Sequence, residues 1–148
     1  MWAACIAELV FLTYLGEMDL ALRVLEGELA IVRLPPNSPI PPWLALSGRP
    51  LASVTATEDE ISIVCPAVAV PDGVQRESGW RAFRVEGRLN FSLTGVLAAV
   101  VSPLADAGIS AYSLSTYDTD FVLVRGERLD QAIAALSGRF HILVPSHA

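Results

Sequence analysis

Alternating apolar and polar residues mark the predicted strands in the second half of the chain, and a longer period marks the predicted helices. In WRAFRVEG, residues 80–87, two apolar side chains alternate with two arginines, a pattern typical of a half-buried strand. From residue 93, apolar residues recur every three or four positions, which predicts a helix with Ser92 as N-cap and Gly108 at its end. We expect Pro103 to kink this helix or to loosen its last turn.

A hairpin, a second helix and a last strand complete this half. Residues 109–117 and 120–125 are predicted to pair around a turn at Asp118-Thr119. Apolar residues at helical spacing follow in residues 129–136, and the run FHILV near the end of the chain predicts the last strand. The order β-α-β-β-α-β is that of the split βαβ arrangement in ferredoxin-like folds.

The first half has strand patterns without a matching helix. Its four predicted strands lie at about residues 20–26, 29–34, 51–57 and 60–65. Six prolines stand between Leu34 and Leu51, and they exclude a long helix there. We expect this segment to cover the sheet as an irregular loop, with Trp43 packed into the core.

Two pairs of similar sequences indicate an internal repeat. ALRVLEGEL at 21–29 resembles AFRVEGRL at 82–89, and TEDEISIV at 57–64 resembles TYDTDFVLV at 116–124, at an offset of about sixty residues. We therefore predict an α+β fold of two tandem ferredoxin-like modules, the first with a degenerate Pro-rich helix region. The predicted divisions are an extension of uncertain status at 1–17, a first module at 18–66, a linker at 67–79 and a second module at 80–145.

Charge and composition exclude several classes of partner. Ten basic and sixteen acidic residues give a net charge of −6, and no basic cluster exists for nucleic acid or an anionic membrane. Residues 1–17 are apolar but contain Glu8, lack a basic start and are short for a membrane span, and Met18 is an alternative start of the chain. The chain is 53% hydrophobic. We expect a cytoplasmic protein whose excess of apolar residues is buried in a homodimer.

Motifs of enzymes, metal sites and cofactor sites are missing from the sequence. It contains no GxSxG, HExxH, P-loop or GxGxxG motif, and His141 has no neighbour at metal-binding spacing. Cys5 and Cys65 stand in apolar surroundings, which is typical of reduced core thiols. Trp43 and Trp80 are interpreted as core residues. We therefore expect no enzyme activity, no metal and no cofactor.

TEDEISIVCP in the first half, and GRLNFSLTGVLA through ISAYSLSTYDTDFVLV in the second, resemble small bacterial tandem ACT-domain proteins, relatives of the CASTOR-type arginine sensors. The resemblance implies a non-enzymatic regulatory module that binds a small amino acid at the interface between ACT units. Many ACT domains carry glycine in the binding loop, where this chain has Asn90 and Ser92. The residues that the resemblance assigns to the ligand are Leu89, Asn90, Phe91, Ser92 and Leu93 in the loop, and Thr116, Asp118 and Asp120 at a strand edge.

Each of these residues also has a purely structural interpretation. An amino-acid zwitterion needs an anion site, which a helix N-terminus offers, and a cation site, which Asp118 or Asp120 offers. Yet Asp118 suits a turn, Asp120 suits the protection of a sheet edge, and Asn90 and Ser92 suit helix caps. Asp59 and Glu60 in the first half form either a solvated turn or a second, equivalent site.

Two other functions remain open from the sequence. One is an interaction module that kept the ACT architecture and binds no ligand, and its oligomerisation would be indifferent to amino acids. The other is a hydrolase or lyase that uses Asp118 and Asp120 as a carboxylate pair, which requires a nearby acid, base or metal.

Overall fold

The computed structural model describes residues 20–87 and 95–146. Within this part of the chain, eight strands form one sheet, and two α-helices pack on it. Short 3-10 turns follow β4 and β7, at Ala67–Ala69 and Gly126–Arg128. The elements are β1 (Ala21–Val24), β2 (Leu29–Leu34), β3 (Ser53–Ala56), β4 (Ile61–Pro66), β5 (Arg76–Val85), α1 (Val96–Asp106), β6 (Ala111–Ser115), β7 (Asp120–Arg125), α2 (Leu129–Leu136) and β8 (His141–Leu143).

The long strand β5 belongs to two groups of strands. Its first residues pair with β2 and its last residues pair with β1, while β7 lies along its other side. The first group has the order β3-β4-β2-β5, and the second has the order β6-β7-β5-β1. All pairs within both groups are antiparallel. This common order confirms the predicted α+β fold of two ferredoxin-like modules.

The strand β1 lies in an unexpected place. The sequence analysis matched residues 21–29 with 82–89 as equivalent copies, but in the structure β1 and β5 are partners, with Leu22 opposite Val85. The strand equivalent to the second half of β5 is β2, because each lies next to the second strand of a hairpin. That part of the predicted repeat is therefore wrong. Two paired strands that bury the same face of a sheet show the same alternation of apolar and polar residues, which explains why 21–29 was mistaken for a copy of 82–89.

The position of β8 differs from the expected order for the same reason. In a split βαβ unit the last strand lies beside the first, but here β1 occupies the place beside β5. The strand β8 pairs in parallel with β1 instead, with Ile142 opposite Leu22. Strand β5 begins at Arg76, inside the segment that the sequence analysis assigned to a linker. The predicted domain boundaries themselves stay predictions.

Both faces of the sheet carry buried side chains. Each strand contributes to both, because successive side chains of a strand point to opposite faces. On one face, here called the helix side, the side chains of Leu22, Phe83 and Val85 pack under the two helices. The other face, here called the far face, contains Trp80, which is buried as predicted. A third cluster lies under the Pro-rich segment, and Trp43 packs against it and is half-buried. The buried far-face residues are Leu25, Leu29, Leu51, Val64, Trp80, Ala82, Phe121 and Leu123.

The helix α1 begins later than predicted. Its N-cap is Gly95 with φ of 82°, and its first residue is Val96, so Ser92 is not the cap. Glycine adopts this left-handed conformation without the strain that a side chain would add. The end agrees with the prediction: Gly108 has φ of 68°, and its N–H donates to the carbonyl oxygen of Ala105 at 2.9 Å.

Candidate functional site

The predicted cation site lies at the tip of the β6–β7 hairpin. The backbone N–H of Thr116 donates to the carbonyl oxygen of Thr119 at 2.8 Å, and its hydroxyl donates to the same oxygen at 3.1 Å. The tip of the β3–β4 hairpin has the same construction, with the N–H of Thr57 donating to the carbonyl oxygen of Glu60 at 2.9 Å. The similar sequences TEDE and TYDT thus form equivalent turns.

A buried threonine fixes the second of these tips. Thr119 is 4% exposed, and its hydroxyl donates to the carbonyl oxygen of Val85 at 2.7 Å. This bond holds the hairpin tip against the last residue of β5. The sequence analysis placed Thr119 in the turn but did not find this hydrogen bond, because it joins residues that are distant in the sequence.

Asp118 and Asp120 lie on this tip in different surroundings. Asp118 is exposed in the turn, whereas Asp120 is half-buried and accepts a hydrogen bond of 2.5 Å from the hydroxyl of Ser115. Asp120 does not protect an edge, because β7 pairs on one side with β5 and on the other with β6. The hairpin therefore brings together the predicted residues Thr116, Asp118 and Asp120. The predicted loop residues, Leu89, Asn90, Phe91, Ser92 and Leu93, lie outside the described residues.

A carboxylate-pair enzyme finds little support in this geometry. Asp118 is open to solvent, and the hydrogen bond from Ser115 occupies one oxygen of Asp120. Within residues 20–87 and 95–146, no group of three or more His, Cys, Asp or Glu side chains is arranged to hold a metal ion. The described part of this hairpin thus carries two carboxylates, of which that of Asp120 is bound by Ser115.

In the equivalent tip of the first group, one carboxylate is paired with an arginine of the same sheet. The guanidinium of Arg33 lies with Nε 2.9 Å from an oxygen of Glu60, and it also donates to the carbonyl oxygen of Asp59 at 3.3 Å. Asp59 is exposed and Glu60 is partly buried. This tip is thus already in contact with a guanidinium from its own sheet.

A polar cleft of about 480 Å³ lies where the two groups of strands meet. Arg125 stacks over the ring of Trp80 at 4.3 Å and donates to the carbonyl oxygen of Ser78 and to a carboxylate oxygen of Glu77, each at 2.8 Å. Through these contacts Arg125 joins β7 to the first half of β5 at the junction. Sequence analysis did not find this cleft, whose lining residues are Glu28, Ser78, Gly79, Arg125, Gly126 and Glu127.

Cys65 is fully buried in β4, as the interpretation of a core thiol requires. Burial raises the pKa of the Cys65 thiol, because the thiolate loses hydration there. Cys5 lies outside the described residues. None of the helices in the described part of the chain has the length and apolar composition needed to span a bilayer.

Comparison with protein families identifies two matching models. The ACT domain model matches residues 75–138, and a model of an N-terminal domain matches residues 27–73. The cytosolic arginine sensor for mTORC1 subunit 1 of Bos taurus is 35% identical over 113 residues, which make up 67% of this chain and 34% of that protein. The protein of the same name from Homo sapiens is 39% identical over 61 residues, 40% of this chain and 18% of that one. The chain spans about a third or less of the length of these curated relatives.

Solved structures share the architecture. Protein Atu0741 from Agrobacterium tumefaciens is 34% identical with a TM-score of 0.79, and the match covers 88% of this chain and 96% of that one. The regulatory subunit of aspartate kinase from Thermus thermophilus, ligand-free form, is 12% identical with a TM-score of 0.56, and the match covers 81% of this chain and 97% of that one. At such low identity the second match concerns the fold alone.

Proposed function

Because this chain belongs to the ACT-domain family, we propose that it is a non-enzymatic regulatory module that binds a small amino acid between ACT units. The names of its curated relatives describe arginine sensors of the cytosol. The regulatory subunit of aspartate kinase from Thermus thermophilus has a similar fold. Sensing an amino acid in the cytoplasm is the function that these relationships and the hairpin support best.

The observation that carries this proposal is the hydrogen bond from Thr119 to Val85. It joins the backbone of the hairpin tip, which carries Asp118 and Asp120, to the end of β5, the strand that leads to the predicted binding loop. In our proposal these carboxylates bind the ammonium group of the ligand. The backbone N–H groups of residues 89–93 and the N-terminus of α1 bind its carboxylate.

The neighbouring unit in this proposal belongs to a second copy of the chain. A homodimer would bury part of the large apolar content, and it would bring the hairpin of one unit to the helix start of another. Arginine is the first ligand to test, because the relatives are named for it.

Thermal unfolding with each of the twenty amino acids tests the proposal. A ligand that binds only the folded protein raises its melting temperature, and about 10 mM exceeds the micromolar to millimolar dissociation constants expected of a metabolite sensor. We expect one amino acid or a few related ones to raise the melting temperature, and Asp120→Asn to abolish the shift. Asp106→Asn is the matched control, because Asp106 is exposed at the far end of α1. If no amino acid changes the melting temperature, the ligand-free interaction module becomes the better description.

A further inference from the structure

Two arginines lie directly opposite each other in the β1–β5 ladder. Arg23 and Arg84 are partners in register, so their side chains share one face of the sheet. Like charges in this position destabilise a ladder unless an anion compensates them. Glu86 compensates Arg23, with Nε 2.7 Å from its carboxylate oxygen. Arg84 is half-buried, and the described part of the chain gives it no ion pair and no side-chain hydrogen bond.

The first group of strands shows the same position with its anion in place. Arg33 lies opposite Ser62 in the ladder, just as Arg84 lies opposite Phe121, and both arginines stand one residue before the end of the strand. Arg33 contacts the carboxylate of Glu60 at 2.9 Å. The equivalent of Glu60 in the second group is Thr119, since each closes a hairpin turn onto a threonine three residues earlier.

Thr119 does not replace the missing carboxylate. Its hydroxyl donates to the carbonyl oxygen of Val85, and a hydroxyl carries no charge to balance a guanidinium. The second group therefore keeps the arginine of the first group and lacks its acid. An anion from outside this chain would complete the arrangement.

Arg23, the ladder partner of Arg84, lines a cavity of about 250 Å³, a space of the size that a small organic acid needs. The cavity opens between β1 and the segments that precede β3 and follow β8. Its lining residues are Arg23, Val24, Leu25, Glu26, Pro50 and Pro145.

We propose that Arg84, with Arg23 beside it, forms a carboxylate-binding site separate from the hairpin carboxylates. A guanidinium binds a carboxylate through two parallel hydrogen bonds, as no ammonium group can. The site is separate from Asp120, because Phe121 shares a face with Arg84 and consecutive residues of a strand point to opposite faces. Its occupant is either a free organic acid or an acidic side chain of a second copy.

Titration with glutarate, at constant ionic strength, tests this site. We expect the NMR signal of the Arg84 side chain to shift with saturation, and Arg84→Gln to weaken glutarate binding by about tenfold or more. Arg139→Gln is the matched control, because Arg139 is exposed and lies outside the sheet. Asp120→Asn should leave glutarate binding unchanged, which separates this site from the proposed amino-acid site.

A gain of binding provides the second test. Glu60→Gln releases Arg33 in the first group, so this variant should bind glutarate at two sites where the wild-type protein binds at one. Light scattering identifies the source of the anion: self-association that Arg84→Gln and glutarate both abolish indicates a second copy, and an oligomeric state that neither of them changes indicates a free acid. Wild-type binding that equals that of Arg84→Gln, together with no added site in Glu60→Gln, would overturn the proposal.

Discussion

The hydroxyl of Thr119 donates a hydrogen bond of 2.7 Å to the carbonyl oxygen of Val85, and this bond joins the tip of one hairpin to the end of β5. Thr119 is the buried polar residue of the described part of the chain. A buried hydroxyl needs a hydrogen-bond partner, and Val85 supplies it here. The bond therefore attaches the turn that Thr119 closes to the end of β5.

Thr119→Val tests the importance of this bond for folding. Valine has the same shape but donates no hydrogen bond, so the substitution removes the contact with Val85 in a buried place. We expect the free energy of unfolding to fall by about 1–3 kcal/mol, measured by urea denaturation with an unchanged m-value. Thr55→Val, on the exposed side of β3, should change it by less than about 0.5 kcal/mol. Equal effects of the two substitutions would contradict this account.

Gly126 lies close to the backbone of β5 where the two groups of strands meet. A Cβ at this position would lie 3.2 Å from the carbonyl oxygen of Gly79 and 3.4 Å from Cγ of Arg81. Gly126→Ala should therefore lower the free energy of unfolding by about 1–3 kcal/mol, since backbone gives way less easily than a side chain. Gly138→Ala is the control, because nothing lies within 4 Å of its added Cβ. A melting temperature of Gly126→Ala as high as that of the control would show that the junction is looser than the structure indicates.

The burial of Cys65 predicts how stability depends on pH. Burial raises the pKa of its thiol above the ordinary 9.0, so the unfolded chain ionises this group at lower pH than the folded one. The contribution of the thiol to stability is complete below the ordinary pKa and is lost as the pH rises through the raised one. In a Cys5→Ser background we expect unfolding by urea to become easier above about pH 9, and less so in Cys65→Ala. Identical pH profiles for the two proteins would contradict the assignment.

The strands of the hairpins could be predicted from the sequence, because alternation and turn residues are local signals. The prediction of 120–125 matches β7 at both ends, and the turn at Asp118 lies where it was expected. The position of β1 could not be predicted, since Leu22 and Val85 meet across more than sixty residues and nothing local distinguishes a partner from a copy. The sequence analysis recognised three of the residues on the hairpin tip. It placed Thr119 in the turn but missed its role, which depends on the contact with a distant strand.

The insertion of β1 into the second group predicts where a distant substitution acts. Leu22 is fully buried between the helices and the sheet, so Leu22→Ala should lower the free energy of unfolding by about 2–5 kcal/mol. Because β1 pairs with β5 and β8, the loss of hydrogen-exchange protection should concentrate in these strands and in α2, with β3 and β4 less affected. Leu46→Ala, at a leucine that is 57% exposed, should leave protection unchanged. If Leu22→Ala instead lowered the hydrogen-exchange protection of β3 and β4 first, the stability of β1 would be coupled to the first group of strands and not to the second.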